Sequence, residues 1–373
     1  MARASTAPVL THAALNRALL ARQMLLERAA RPVPDAVHHL VGLQAQAPWS
    51  PYYALWSRLD GFDPHELGAM LTDRRAVRIV VMRSTVHLIT ADDCRFLRPL
   101  LAEFLARGLT TSNWAPGLVD LDIDAVVAAG RELIEAEPLT FSALGKRLAE
   151  RWPDRDPATL AQVVRARAPL VQIPPRAVWG RSGQVTVTTA EHWLGGPLAS
   201  DATREDMVLR YLAAFGPASV MDVQTWCGLT RLNDVVDRLG DRVVRFRNEA
   251  GRALFDLPDA PRPDPEVPAP VRFLPDFDNV TLSHADRTRI VSDDARQRLR
   301  RPNGLLPGTV LVDGMVAGIW SIERAKGAAT LTVAPFGPWS GADRAAVEEE
   351  GAALLAFAAE ASDHDVRVLA PLD

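Results

Sequence analysis

Before residue 258 the chain repeats one order of elements three times: helices with a single apolar face, then two β-rich runs a few residues apart. The first copy begins with a helix over 14–28, where Leu15, Ala18, Leu19, Leu25 and Leu26 share a face. Pro32 and Pro34 break it, and Asp35 opens a second helix reaching Leu43. Ser50-Pro51 and Asp63-Pro64 open two more. Runs 77–82 and 85–90 then read as strands joined at Arg83-Ser84. The second copy has helical patterns after Leu139 and around 159–167, with strand-like runs at 170–178 and 185–189. In the third, a helix over 204–215 stops at Gly216-Pro217, and Ser219 caps a short helix to Trp226. A helix follows over 232–239, and runs 243–247 and 253–257 flank Asn248–Gly251 as a tight wing. Helices followed by a β-hairpin are the winged-helix pattern.

Six prolines within 258–270 mark a linker. Beyond it the period changes to strands at 309–313, 315–322 and 329–333, with Asp313-Gly314 as a tight turn. A helix over 342–361 and a last strand at 366–369 complete a small domain. The expected fold is α+β. Winged-helix modules occupy 12–115, 116–198 and 199–258, followed by a C-terminal α+β domain at 271–373.

Composition excludes several classes. Apolar residues make 48% and charged residues 24% of 373, which rules out a disordered or collagen-like chain. Two distant cysteines, Cys94 and Cys227, exclude a Cys-only zinc site and fit a reducing, cytoplasmic setting. No apolar run approaches a membrane span, and no metal or cofactor motif is present. Residues 1–115 carry 13 basic and 9 acidic side chains, whereas 301–373 carry 5 and 10. A polyanion therefore prefers the N-terminal part. Arginines recur beside each predicted wing: Arg74, Arg75, Arg78 and Arg83; Arg165, Arg167, Arg176 and Arg181; Arg242, Arg245, Arg247 and Arg252. Of these, Arg75, Arg78, Arg83, Arg167, Arg181, Arg245 and Arg247 are the candidate phosphate contacts on double-stranded DNA.

Two stretches add a resemblance. One is Leu43-Gln44-Ala45-Gln46-Ala47-Pro48; the other runs from Phe273-Leu-Pro-Asp-Phe-Asp-Asn279 to Arg287, followed by Thr309–Trp320. In this order they resemble the bacterial winged-helix DNA glycosylases of the AlkZ type, over about residues 12 to 370. The resemblance implies a monomeric enzyme, C-shaped around a DNA channel, that removes N7-alkylated bases. Its substrates would include interstrand crosslinks made by azinomycin-like natural products. It implies that Gln44 and Gln46 are catalytic, matching the family's Gln-x-Gln form, which is associated with self-resistance in antibiotic producers. Asn279, His284 and Arg287, in an unusually polar segment, are further candidates for reaching DNA.

The residues themselves bear on that chemistry. Positions two apart share a side in extended backbone, so the two amides can hold one water. Neither takes a full proton at neutral pH, which makes them poor general bases. An N7-alkylated purine is already cationic and leaves as a neutral base, so a positioned water suffices. The competing reading is that both glutamines cap a helix end. Only Lys146 and Lys326 could form a Schiff base, so strand cleavage is not expected. Trp49, Trp56 and Trp114 read as core residues, with base stacking as the alternative. A non-catalytic winged-helix regulator or drug-sequestering resistance protein is the other function class considered.

Overall fold

The computed structural model describes residues 7–199, 201–301, 304–325, 327–360 and 363–371. Its first helix, His12–Arg22, is capped by the Thr11 hydroxyl, which accepts from Ala14 N at 3.1 Å. It ends earlier than the leucine pattern predicts. Met24 turns to a φ of 56°, and Leu25 N donates back to Leu20 O at 2.8 Å. Leu25 thus stays in the core without extending the helix. Helices Val33–His39, Ser50–Trp56 and Pro64–Thr72 follow, the last capped by Asp63. The hairpin Ala76–Val80 and Val86–Thr90 turns through Met82–Ser84, where Arg83 and Ser84 take φ of 53° and 57°.

Five α-helices lie where no element was predicted: Ala91–Leu100, Ala102–Thr110, Ile123–Ala136, Ala190–Leu194 and Asp293–Leu299. Four carry side-chain caps, from Thr90, Asp122, Thr189 and Ser292. Phe141–Ala149 and Pro157–Arg167 match the second predicted unit, capped by Thr140 and Asp156. The predicted run 170–178 shortens to the strand Leu170–Gln172.

The pattern predicts a separate wing for each unit, and here the structure differs. Leu170–Gln172 pairs with Ala76–Val80, matching Ile79 with Val171 and Arg78 with Gln172. One five-stranded sheet results, in the order Leu43–Gln44, Val86–Thr90, Ala76–Val80, Leu170–Gln172 and Val187–Thr189. A lone two-stranded hairpin is marginal in water, and joining the two covers an open edge of each.

This sheet separates two cores. Val77, Ile79 and Ile89 face a core shared with Tyr211, Phe215 and Trp226 of the third unit. Leu43, Ala45 and Leu88 face Tyr52, Leu55 and Leu67. The third unit follows its prediction closely: Arg204–Phe215, Val220–Cys227 with a Ser219/Asp222 capping box, Asn233–Arg238, then the hairpin Val244–Asn248 and Ala253–Asp256. Val9–Leu10 adds a parallel strand to that hairpin.

Residues 258–270 form neither helix nor strand. The C-terminal sheet runs Asp363–Val368, Ala328–Pro335, Met315–Ala325, Gly308–Val312 and Arg272–Leu274. Its first pair is parallel because the helix Gly341–Ala358 crosses between them. Two buried bidentate ion pairs tie the chain's ends together: Arg22 to Asp256 at 2.6 and 2.8 Å, and Arg58 to Asp278 at 2.8 and 2.9 Å. Among the described residues no helix is long and apolar enough to cross a membrane.

Candidate active site

Gln44 closes the short strand Leu43–Gln44 and sits directly across from His87. Gly42, with a φ of 89°, turns the chain into this strand; a Cβ there would lie 2.4 Å from Ile89 Cγ2. Ala45 extends the ladder by donating its N–H to Val86 O at 2.8 Å, and its side chain is fully buried on the opposite face. Gln44 therefore lies in strand backbone, and Gln46 sits at the bend two residues on, before the helix Ser50–Trp56 begins. Gln44 is buried and Gln46 exposed. Gln46 Oε1 meets Val86 N only at 3.4 Å.

Arg83 is the hub of the site. Its Nη2 donates to Gln44 Oε1 at 2.7 Å and Asn279 Oδ1 at 2.7 Å, and lies 3.2 Å from His87 Nε2. Asn279 Nδ2 donates to Gly42 O at 3.0 Å, so this amide is held at both ends. His87 Nδ1 faces the Thr85 carbonyl at 3.0 Å. A carbonyl only accepts, so Nδ1 carries the proton and Nε2 offers its lone pair to Arg83. Burial first, and then the Arg83 charge, push His87 down to about 3, which keeps the ring neutral. Burial, aided by the nearby Arg287 charge, brings Arg83 down to about 10. It stays charged at neutral pH, and among the described residues no carboxylate pairs with it.

The segment carrying Asn279 is placed by the Arg58–Asp278 pair. Asp278 Oδ1 also accepts from Val280 N at 3.0 Å and so starts the turn Asn279–Thr281. Behind the glutamines, Arg78 donates to Ala45 O at 2.9 Å and Gln172 Oε1 at 3.3 Å. Burial lowers its pKa to about 10.

Several sequence expectations are corrected here. Arg78 is 2% exposed and holds backbone, because its strand position points to the inner face. His284 is 1% exposed; one ring nitrogen meets Phe215 O at 3.0 Å, and burial pushes it down to about 3. Neither presents a surface to DNA. Arg83 Nη1 is sealed from solvent, so this residue also points inward. Asn279 reaches Arg83 instead of open space. Arg287 is half-buried, with Nε 3.4 Å from His284 O. Arg75, Arg167, Arg181, Arg245 and Arg247 are exposed. Trp49 packs on Tyr52 and Trp179, Trp56 stacks on Phe357, and Trp114 packs against the second unit's core. His87 was not singled out in the sequence; its signal is a lone polar residue inside the apolar run 86–89. Lys146 lies exposed on its helix, and Lys326 lies outside the described residues. No three His, Cys, Asp or Glu side chains gather to hold a metal among the described residues.

A family model described as DNA glycosylase AlkZ-like matches residues 37–357, which spans the glutamines, Arg83, His87 and Asn279. The chain belongs to the AlkZ-like DNA glycosylase family. An interstrand DNA cross-link repair glycosylase of Streptomyces sahachiroi is 24% identical over 376 residues, covering 93% of this AlkZ-like chain and 96% of its own length. The solved structure of Streptomyces sahachiroi DNA glycosylase AlkZ has a TM-score of 0.79 at 20% identity, covering 97% of this chain and 100% of that one. At that identity the match shows that this AlkZ-like glycosylase shares the fold.

Proposed function

We propose that the protein is a monofunctional DNA glycosylase that hydrolyses the N-glycosidic bond of N7-alkylated purines in duplex DNA, including purines tied into interstrand crosslinks. The observation that carries this reading is the pair Gln44 and Gln46, at the end of a strand and the bend after it, with Gln44 locked by a guanidinium that has no carboxylate partner among the described residues. Its family membership and the crosslink-repair relative support the same chemistry. The C1′–N9 bond breaks, its electron pair passes to the cationic base, and the base leaves neutral. A water oxygen bonds to C1′ and its proton goes to solvent, since neither amide can hold it. The site then has to supply position and polarity rather than a base.

The three helix-and-hairpin units act as winged-helix modules set in a C around the duplex, the first two as one body through their common sheet. Arg75, Arg167, Arg181, Arg245 and Arg247 are the exposed phosphate contacts, with Arg287 nearer the glutamines. The enzyme acts as a monomer without metal or cofactor and leaves an intact abasic site. Its glutamine at the second motif position, Gln46, favours self-resistance against a crosslinking natural product over general repair. Excision assays test this. Duplexes carrying 7-methylguanine or an azinomycin-type crosslink are incubated with protein, and alkali reveals abasic sites. Release of both lesions, or of the crosslink alone, is the expected result. DNA binding without release from either would overturn the proposal in favour of a regulator. Borohydride trapping through a lysine would overturn the monofunctional assignment.

A further inference from the structure

We propose that the two glutamines divide the chemistry: Gln44 donates an N–H to the departing purine, oriented by Arg83, and Gln46 alone supplies the acceptor for the attacking water. This rests on the glycosylase reading above. A guanidinium carries donors only, so the Gln44 atom 2.7 Å from Arg83 has to be oxygen. The amide cannot flip without setting N–H against N–H. Arg83 cannot swing aside either. Asn279 Oδ1 and His87 Nε2 hold the same nitrogen, and each of those groups is fixed in turn by Gly42 O and Thr85 O.

The Gln44 amino group therefore faces away from Arg83, and the one side-chain hydrogen bond of Gln44 to a described residue is that of its oxygen. An N–H can orient a water only by donating to one of its two lone pairs, which draws density from the attacking oxygen instead of pulling on a proton. Its useful target is the leaving group. When the C1′–N9 bond breaks, the electron pair enters the purine ring and raises the basicity of the ring nitrogens. An N–H aimed at the purine's minor-groove acceptor then strengthens in the transition state. Gln46 differs: its oxygen has only the 3.4 Å contact to Val86 N, so it is open to accept from a water. The water oxygen bonds to C1′ and its released proton passes to solvent. Arg83 touches neither reactant in this scheme and is a positioning residue.

Single-turnover excision of 7-methylguanine by the full chain tests the division. Gln44→Glu keeps the bond from Arg83 but turns an acceptor toward the purine; its rate should fall about 10²–10³-fold. Gln46→Glu keeps an acceptor for the water and should fall no more than about tenfold. Arg83→Met should lower kcat about tenfold with KM nearly constant, and Arg83→Lys should restore part of that loss. In a Gln44→Ala background, Arg83→Met should cost nothing further. The inference is overturned if Gln44→Glu is as fast as Gln46→Glu, or if Arg83→Met costs the same factor with and without Gln44. Absence of release by the unaltered protein would instead defeat the glycosylase reading itself. Thermal melts of each variant separate lost function from lost folding.

Discussion

Replacing Arg58 by methionine should destabilise the protein far more than a surface change of the same size. Arg58 is 1% exposed and makes two contacts to Asp278, at 2.8 and 2.9 Å, plus one to Ala54 O at 3.0 Å. Methionine fills most of the volume but strands a buried carboxylate, and breaking one side of such a pair costs about 3–5 kcal/mol. One contribution opposes this. Arg58 Nε is buried without a partner, and its removal relieves about 1 kcal/mol. A net loss of about 2–4 kcal/mol remains, which moves a urea midpoint by roughly 1 M. The double variant Arg58→Met/Asp278→Leu removes both charges. Relative to the single variant it loses in addition only the cap on Val280 N, about 1 kcal/mol, and no longer buries an unpaired carboxylate, so it should be the more stable of the two. Urea unfolding followed by tryptophan fluorescence gives both numbers. A single-variant loss under about 1 kcal/mol, or a double variant no better than the single, would refute the claim that desolvation dominates here.

Acid should destabilise the fold through two histidines. His87 and His284 are both pushed by burial from an ordinary 6.5 to about 3. Between those values the unfolded chain holds the extra protons, so stability is lost as pH falls below 6.5, by about 2 kcal/mol per histidine at pH 5. His284→Gln should flatten the fall in urea midpoint between pH 7 and 5; a midpoint that ignores pH would contradict this. Gly42→Ala should cost about 2 kcal/mol or more, from its φ of 89° and the 2.4 Å approach to Ile89, measured by the same unfolding curves. Gln44→Ala and Gln46→Ala should each slow excision by about 10²-fold or more, leaving a measurable residual rate, while duplex binding by fluorescence anisotropy holds; equal loss of both would argue against catalysis. Arg245→Ala and Arg247→Ala should each lower the salt slope of DNA binding by about one, and an unchanged slope would remove that residue from the interface.

Local rules made much of the fold legible. Ser219 and Asp222 announce a helix start, Gly228 its end, and the third unit follows its prediction closely. Alternation places Gln44 and Gln46 on one side of an extended run; the strand holds Gln44 alone, and Gln46 falls at the bend just after it. Leu25 and Leu26 misled because a helical leucine spacing persists past Met24, where the backbone turns to positive φ and Leu25 N bonds back to Leu20 O. The common sheet was invisible because pairing Ile79 with Val171 spans some 90 residues, and no local pattern encodes a partner that distant. Arginine was misjudged for a related reason. Long side chains such as Arg78 and Arg83 look like surface groups in sequence, yet backbone carbonyls and amide oxygens satisfy them inside. Asn279 was found for its polarity, but its role as the clamp on Arg83 depends on the chain returning to Gly42.

The joined sheet also bears on how the chain is made. While it emerges from the ribosome, the strand Ala76–Val80 waits with one bare edge until Leu170–Gln172 has been synthesised, on the order of ten seconds later. During that interval Val77 and Ile79 belong to a core whose third-unit half, with Tyr211 and Phe215, does not yet exist. The nascent protein thus passes through a stage with a sticky β-edge, where a holding chaperone would raise the yield of folded protein and slow codons between the two strands would lower it. Fragments ending near residue 168 should aggregate rather than behave as an isolated first domain.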